Sequence, residues 1–72
     1  MGLFLKLFYP VRKRIIVNTK TGKAFQGILW KNGSRILELK NAEILKNGGG
    51  SVQVDGSVII YRADVDFIQV IR

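Results

Sequence analysis

The chain contains neither histidine nor cysteine. The commonest general base, the thiolate nucleophile and the soft metal ligands are therefore missing together. Its acids are few, five Asp and Glu against twelve Lys and Arg. Asp64 and Asp66 stand two apart and could share a strand face, but two carboxylates without a third ligand hold a cation poorly. A strand-end turn explains them better. The residue types point to a non-enzymatic protein with no cofactor and no metal. What they do offer is positive charge and aromatic faces. Eight of the twelve bases (Lys6, Arg12, Lys13, Arg14, Lys20, Lys23, Lys31 and Arg35) precede Glu38, the first acid, and the net charge is +7. An excess of this size suggests an anionic partner: nucleic acid, an acidic protein surface or anionic lipid. The alternative is a basic surface that only aids solubility. Arg12, Lys13, Arg14, Lys20 and Lys23 form the densest basic patch. Trp30 and Tyr9 could stack on bases, although Trp30 suits an interface anchor better.

These groups must be positioned by a small scaffold. Seventy-two residues leave room for one core only. Without cysteine no disulfide can reinforce it, and self-association is the remaining common support for a fold of this size. Leu3, Phe4, Leu7 and Phe8 recur at helical spacing, so residues 3–9 are expected to form a two-turn amphipathic helix that ends before Pro10. Such a helix needs a surface to pack on. That surface is the domain's own barrel or a partner protein, with a membrane surface a third option. The expected organisation is an apolar helix and basic linker at 1–13, then a barrel at 14–72. No stretch approaches the roughly 20 apolar residues that a spanning helix needs, and residues 2–9 make a poor signal peptide. Membrane is not an expected partner, and the cytoplasm, or a particle assembled there, is the expected location.

From Arg14 onward the pattern is that of short strands. Residues 15–19 are rich in β-branched side chains and stop at Thr21-Gly22-Lys23. Residues 24–31 follow, with Gly27 in mid-strand, where glycine marks a bend or a close backbone approach. Asn32-Gly33 predicts a two-residue hairpin. Residues 35–45 make a long third strand, and 46–50 a glycine-rich tip. Residues 52–54 and 58–61 flank Asp55-Gly56, a second hairpin signal. Arg62-Ala63-Asp64 is a tight connection, and 65–71 is the last strand. Five or six short strands with minimal loops predict an all-β, strongly curved sheet or partly open barrel.

Three segments resemble the motifs of the Sm-like family. Thr21-Gly22-Lys23-Ala24-Phe25-Gln26-Gly27-Ile28-Leu29 is similar to the first Sm motif. Leu39-Lys40-Asn41-Ala42-Glu43 is similar to the end of that motif's long third strand. Val58-Ile59-Ile60-Tyr61-Arg62-Ala63-Asp64 resembles the second motif, in which an apolar strand runs into Arg-Gly-Asp or Arg-Gly-Asn. The resemblance covers about residues 14–72 in order and spacing. It implies a five-stranded, strongly bent, partly open barrel preceded by a short N-terminal helix. Gly27 would let the second strand bend. Phe25 and Leu29 would share the inner face with Leu37 and Leu39, by the period of two. Such a barrel has two free edges, and pairing the last strand with a neighbour's fourth closes copies into a ring, commonly of roughly five to seven subunits.

Sm-like rings often bind single-stranded, U-rich RNA at the pore, and the resemblance places Arg62 as the base-clamping arginine. The sequence departs from the pattern nearby. Where the family has its base-contacting Asn, this chain has Ile36 or Leu37, and Ala63 replaces the motif's Gly. Loss of a base-edge reader removes specificity more than affinity, while Lys31, Arg35 and Arg62 keep their attraction for phosphate and Asn32 can still hydrogen-bond. Short Sm-like proteins encoded among the virion structural genes of tailed phages are also similar. They share the Ala-Phe-x-Gly-Ile-Leu-Trp run and the Val-Asp-Phe-Ile-Gln-Val ending. That likeness implies a structural subunit, a minor capsid, portal or decoration protein. Leu3, Phe4, Leu7, Phe8 and Trp30 would then dock into other proteins of the particle, and the location would be the virion. The expectation is a self-assembling structural subunit of this kind, with an RNA-binding Sm/Hfq-like ring as the alternative.

Overall fold

The computed structural model describes residues 12–71, in an order of strands broken by one short 3-10 turn. Strand β1 is Arg14–Thr19, β2 Ala24–Asn32, β3 Ile36–Leu45, β4 Ser51–Gln53, β5 Ser57–Tyr61 and β6 Val65–Val70. The 3-10 turn, Arg62–Asp64, joins β5 to β6. All pairings are antiparallel, and the sheet order is β4-β3-β2-β1-β6, with β5 also beside β3. The expected helix at residues 3–9, with Leu3, Phe4, Leu7 and Phe8, lies outside the described residues. Among the described residues no helix is long and apolar enough to cross a membrane.

Alternation of apolar and polar residues sets the two faces. Ile15 and Val17 on β1, Leu29 on β2, Leu37, Leu39 and Ala42 on β3, and Ile60 on β5 are buried together. Phe25, Val58, Val65 and Ile68 pack against this cluster. The inner face therefore contains the expected Phe25, Leu29, Leu37 and Leu39. Phe25 is only half-buried, because it sits at an open mouth. A cleft of about 250 Å³ lies there between β5 and the β1–β2 turn, floored by Phe25, Val58 and Ile60 and rimmed by Thr21, Lys23 and Tyr61.

Curvature is concentrated on one line that crosses three strands. Gln26 pairs with Glu43 and Ile28 with Lys40, so Gly27 alone faces both Asn41 and Ala42. On the far side of β3, Glu43 pairs with Gln53 and Lys40 with Ser57. The same two residues thus face Val54, Asp55 and Gly56. Unequal residue counts across a pair are what bend and twist a sheet. Asn41 takes φ 52° and Gly56 φ 79°, in the left-handed region that these two residue types tolerate best. A Cβ on Gly27 would lie 3.1 Å from the Lys40 carbonyl oxygen and 3.2 Å from both Cα and Cβ of Ala42. Glycine is needed here for close approach of two backbones rather than for an unusual dihedral.

Two hairpin expectations are corrected. Asp55-Gly56 does not join two strands that pair with each other. Because β4 and β5 both pair with β3, the dipeptide is a bulge within what is effectively one bent edge strand, and Val54 N–H donates to the Ala42 carbonyl across it at 2.9 Å. Six segments thereby make a five-position sheet. Asn32-Gly33 is not the turn itself either. Asn32 still pairs with Leu37, Gly33 N–H donates to the Ile36 carbonyl at 2.9 Å, and the reversal falls on Ser34-Arg35.

The outermost positions of the sheet are β4 with β5 on one side and β6 on the other. Val52, Ile59, Tyr61, Phe67, Val70 and Ile71 are the exposed large apolar side chains among the described residues. Each lies on or at the end of one of these two edges.

Candidate functional site

Strand β5 delivers its last residue, Tyr61, opposite Ile36 at the start of β3. Arg62 follows at once and opens the 3-10 turn. Its backbone N–H donates to the Arg35 carbonyl at 2.8 Å, which carries the strand pairing one step into the β2–β3 tip. The guanidinium then turns onto that tip. Its Nε donates to the Gly33 carbonyl, and an Nη donates to Oδ1 of Asn32. A guanidinium presents its donors in a rigid planar fork, so these contacts fix both the tip and the direction of the Asn32 carboxamide. At the other end of the turn, Lys20 N–H donates to the Asp64 carbonyl at 2.8 Å, which ties the β1–β2 turn to the same corner.

Four candidate residues chosen from the sequence thus come together. Arg62 and Asn32 touch, Arg35 shares a backbone hydrogen bond with Arg62, and Lys31 precedes Asn32 on β2 and is exposed. The acid nearest in register is Glu38, paired with Lys31 across β2 and β3. Leu37 is fully buried in the core, and it therefore offers nothing to a ligand. The amide that this tip presents is Asn32, which stands directly opposite Leu37 on the other strand. Its Oδ1 is engaged by Arg62.

The basic patch is divided. Arg12, Lys13 and Arg14 are exposed at the start of β1, whereas Lys20 and Lys23 are exposed at the β1–β2 turn. Trp30 is neither a bare platform nor part of the core. The register slips between Leu29 and Lys31, so Trp30 bulges out of β2. Its half-buried ring has the Arg12 guanidinium 3.9 Å and the Lys40 ammonium 4.4 Å from the ring centroid. Both are within cation–π range. Lys40 was missed from the sequence. Only the register brings it here: it pairs with Ile28, two residues before Trp30.

Asp64 ends the 3-10 turn, and Asp66 lies in the irregular start of β6, where Thr19 pairs with Val65 and Asn18 with Phe67. Among the described residues no three acidic side chains gather into a metal site.

Comparison with solved structures now decides the fold. A heptameric archaeal Sm protein superposes with a TM-score of 0.77 at 22% identity, over 86% of this chain and 90% of its own. The P. aerophilum SmAP1 heptamer gives 0.80 at 22% identity, covering 100% of this chain and 96% of that one. The Pyrococcus abyssii Sm protein, in complex with a uridine heptamer, gives 0.79 at 22% identity, over 99% of each chain. The chain has the Sm fold. No family model and no curated protein matches the sequence. The Sm likeness first carried by the motifs at 21–29, 39–43 and 58–64 is therefore a likeness of three-dimensional structure over nearly the whole chain.

Proposed function

We propose that this chain is a non-enzymatic subunit of an Sm-type ring that binds single-stranded, uridine-rich RNA through the Arg62–Asn32 corner. The observation that carries this reading is Arg62, at the end of the second motif, clamped onto the β2–β3 tip within an Sm fold. The similar structures include two heptamers and an Sm protein in complex with a uridine heptamer. The capsid, portal or decoration role expected from the sequence thus gives way to its alternative, an RNA-binding ring.

Assembly follows from the edges. Among the described residues no strand pairs with the outer sides of β5 and β6, which favours strand addition from another copy. Tyr61 and Ile59 are 63% and 50% exposed on one edge, and Phe67 is 52% exposed on the other. Ile59 and Tyr61 point away from the core, since Ile60 between them is buried. Phe67 does so too, because it pairs with Asn18 between the inward Val17 and Thr19. An edge-to-edge join sets these outward side chains against one another, and a repeated heterologous join closes into a ring. Each copy then brings its Arg62, Asn32, Lys31 and Arg35 to the assembly, so the positive charge multiplies where RNA is held.

The test is fluorescence anisotropy with a labelled oligouridine and a mixed-sequence DNA of equal length, at low and high salt. Preference for oligouridine that survives salt and is lost in Arg62→Ala supports the reading. Binding that ignores sequence and disappears with salt is phosphate attraction alone, and it contradicts uridine recognition.

A further inference from the structure

We propose that Asn47-Gly48, at the tip between β3 and β4, is a site of spontaneous self-modification, and that Arg62 guards the other Asn-Gly step, Asn32-Gly33, against the same reaction. This stands apart from the RNA-binding reading and does not rest on it. Asparagine is a thermolabile residue type, and one followed by glycine can close on itself. The glycine nitrogen gives up its proton and attacks the side-chain carbonyl carbon, a C–N bond forms, and ammonia leaves. Water then opens the cyclic imide at either carbonyl, which leaves aspartate or isoaspartate. The rate depends on whether the glycine nitrogen is free and whether the backbone can turn to bring it onto the side chain.

Both conditions hold at Asn47. Residues 46–50 are all exposed. Their turn is closed by Lys46 N–H donating to the Gly50 carbonyl at 3.0 Å and Gly49 N–H donating to the Lys46 carbonyl at 3.2 Å. Among the described residues Gly48 N–H donates to no acceptor. Nothing lies within 4 Å of where a Cβ on Gly48 would stand, so there is room for the imide. Lys46 adjoins the step, and a neighbouring positive charge favours the deprotonated nitrogen.

Neither condition holds at Asn32. Asn32 is kept in β2 by its pairing with Leu37, and Gly33 N–H is already given to the Ile36 carbonyl at 2.9 Å. The Arg62 guanidinium bridges Asn32 Oδ1 and the Gly33 carbonyl. These two acceptors sit on either side of the segment that must fold into the imide, so a rigid fork across them blocks the closing rotation. The guanidinium also polarises the carboxamide, which by itself would favour attack. That counts for little while the attacking nitrogen is held in place. The two steps lie at opposite ends of β3, whose first residue is Ile36 and last is Leu45. Conversion of Asn47 therefore lowers the net charge of +7 by one and leaves the Arg62 corner intact.

The whole chain is incubated at neutral pH and physiological temperature beside a synthetic peptide of residues 45–51. Both are followed over time by peptide mass spectrometry. Cleavage after lysine places the two steps in separate peptides, 32–40 and 47–72. Each conversion raises the mass of its peptide, because a hydroxyl replaces an amino group. Asp55-Gly56 can pass through the same imide, but its product has the starting mass and does not enter this readout. Asn47 should convert within about threefold of the free peptide's rate, since an exposed turn opens at little cost. Asn32 should convert at least about 100-fold more slowly, as opening against two charge-assisted hydrogen bonds requires. Arg62→Ala should speed Asn32 by about 10-fold or more and leave Asn47 unchanged. Arg62→Lys repeats the test with charge and stem retained but without the fork. Equal conversion at the two steps overturns the proposal, as does an Asn47 as stable as Asn32. The role given to Arg62 is overturned if Asn32 stays unconverted in the folded variants. It is overturned equally if Asn32 converts faster only in variants that have lost their strand signal by circular dichroism.

Discussion

Replacing Gly27 by Ala tests the bend that shapes the barrel. Gly27 does not have a left-handed φ, so on backbone grounds alone alanine should stabilise the strand by about 0.5–1 kcal/mol. Close approach opposes this. The added methyl would lie 3.1 Å from the Lys40 carbonyl oxygen and 3.2 Å from Cα and Cβ of Ala42. Two of these three atoms are backbone, held in register by the pairs Gln26–Glu43 and Ile28–Lys40, and neither can rotate away. Overpacking of this kind costs about 1–3 kcal/mol. The net expectation is a loss of about 1 kcal/mol, which in a domain this small lowers Tm by about 4–8 °C. The second substitution Ala42→Gly removes one of the three contacts, and it should recover part of the loss as a positive coupling. Thermal unfolding by circular dichroism measures both variants, at one fixed protomer concentration because assembly raises apparent stability. A higher Tm for Gly27→Ala would refute the reasoning, since it would mean that the β2–β3 approach is loose and that the bend is set elsewhere.

Leu39→Ala empties a fully buried position at the centre of β3; a loss of about 2–5 kcal/mol should leave the protein largely unfolded by chemical denaturation at ambient temperature. Phe67→Glu changes a side chain that is 52% exposed on the β6 edge, so the barrel should keep its circular dichroism spectrum while size-exclusion chromatography shows loss of the oligomer. Asn32→Ala removes the acceptor that Arg62 engages; a charged hydrogen bond of about 1.5 kcal/mol corresponds to roughly tenfold weaker oligouridine binding, read by anisotropy.

Period-two alternation made the strands legible, because one face of each had to meet a common core. The inward set Leu29, Leu37 and Leu39 could be read this way, and so could the bend at Gly27. The partnership of β4 and β5 was harder to see. Asp55-Gly56 has the chemistry of a hairpin, and a local signal does not report which strand its neighbours will pair with. The available cue was length: β3 runs for 10 residues, while β4 and β5 have 3 and 5. Only both together could cover it. Asn32-Gly33 misled for a similar reason. Pairing of Asn32 with Leu37 and its contact with Arg62 keep it in the strand, and the reversal moves to Ser34-Arg35. The Arg62 corner was legible only through the Sm motif, since Arg62 and Asn32 lie 30 residues apart. The seat of Arg12 and Lys40 on Trp30 depends on a bulge that no sequence period reveals.

Native mass spectrometry of the full chain, with and without oligouridine, tests the central claim most directly, because one spectrum reports both assembly and ligand. The account predicts a single closed oligomer of one subunit number that shifts in mass by whole RNA strands and loses that shift in Arg62→Ala. A monomer, an open ladder of sizes, or an oligomer that takes up no RNA would contradict it.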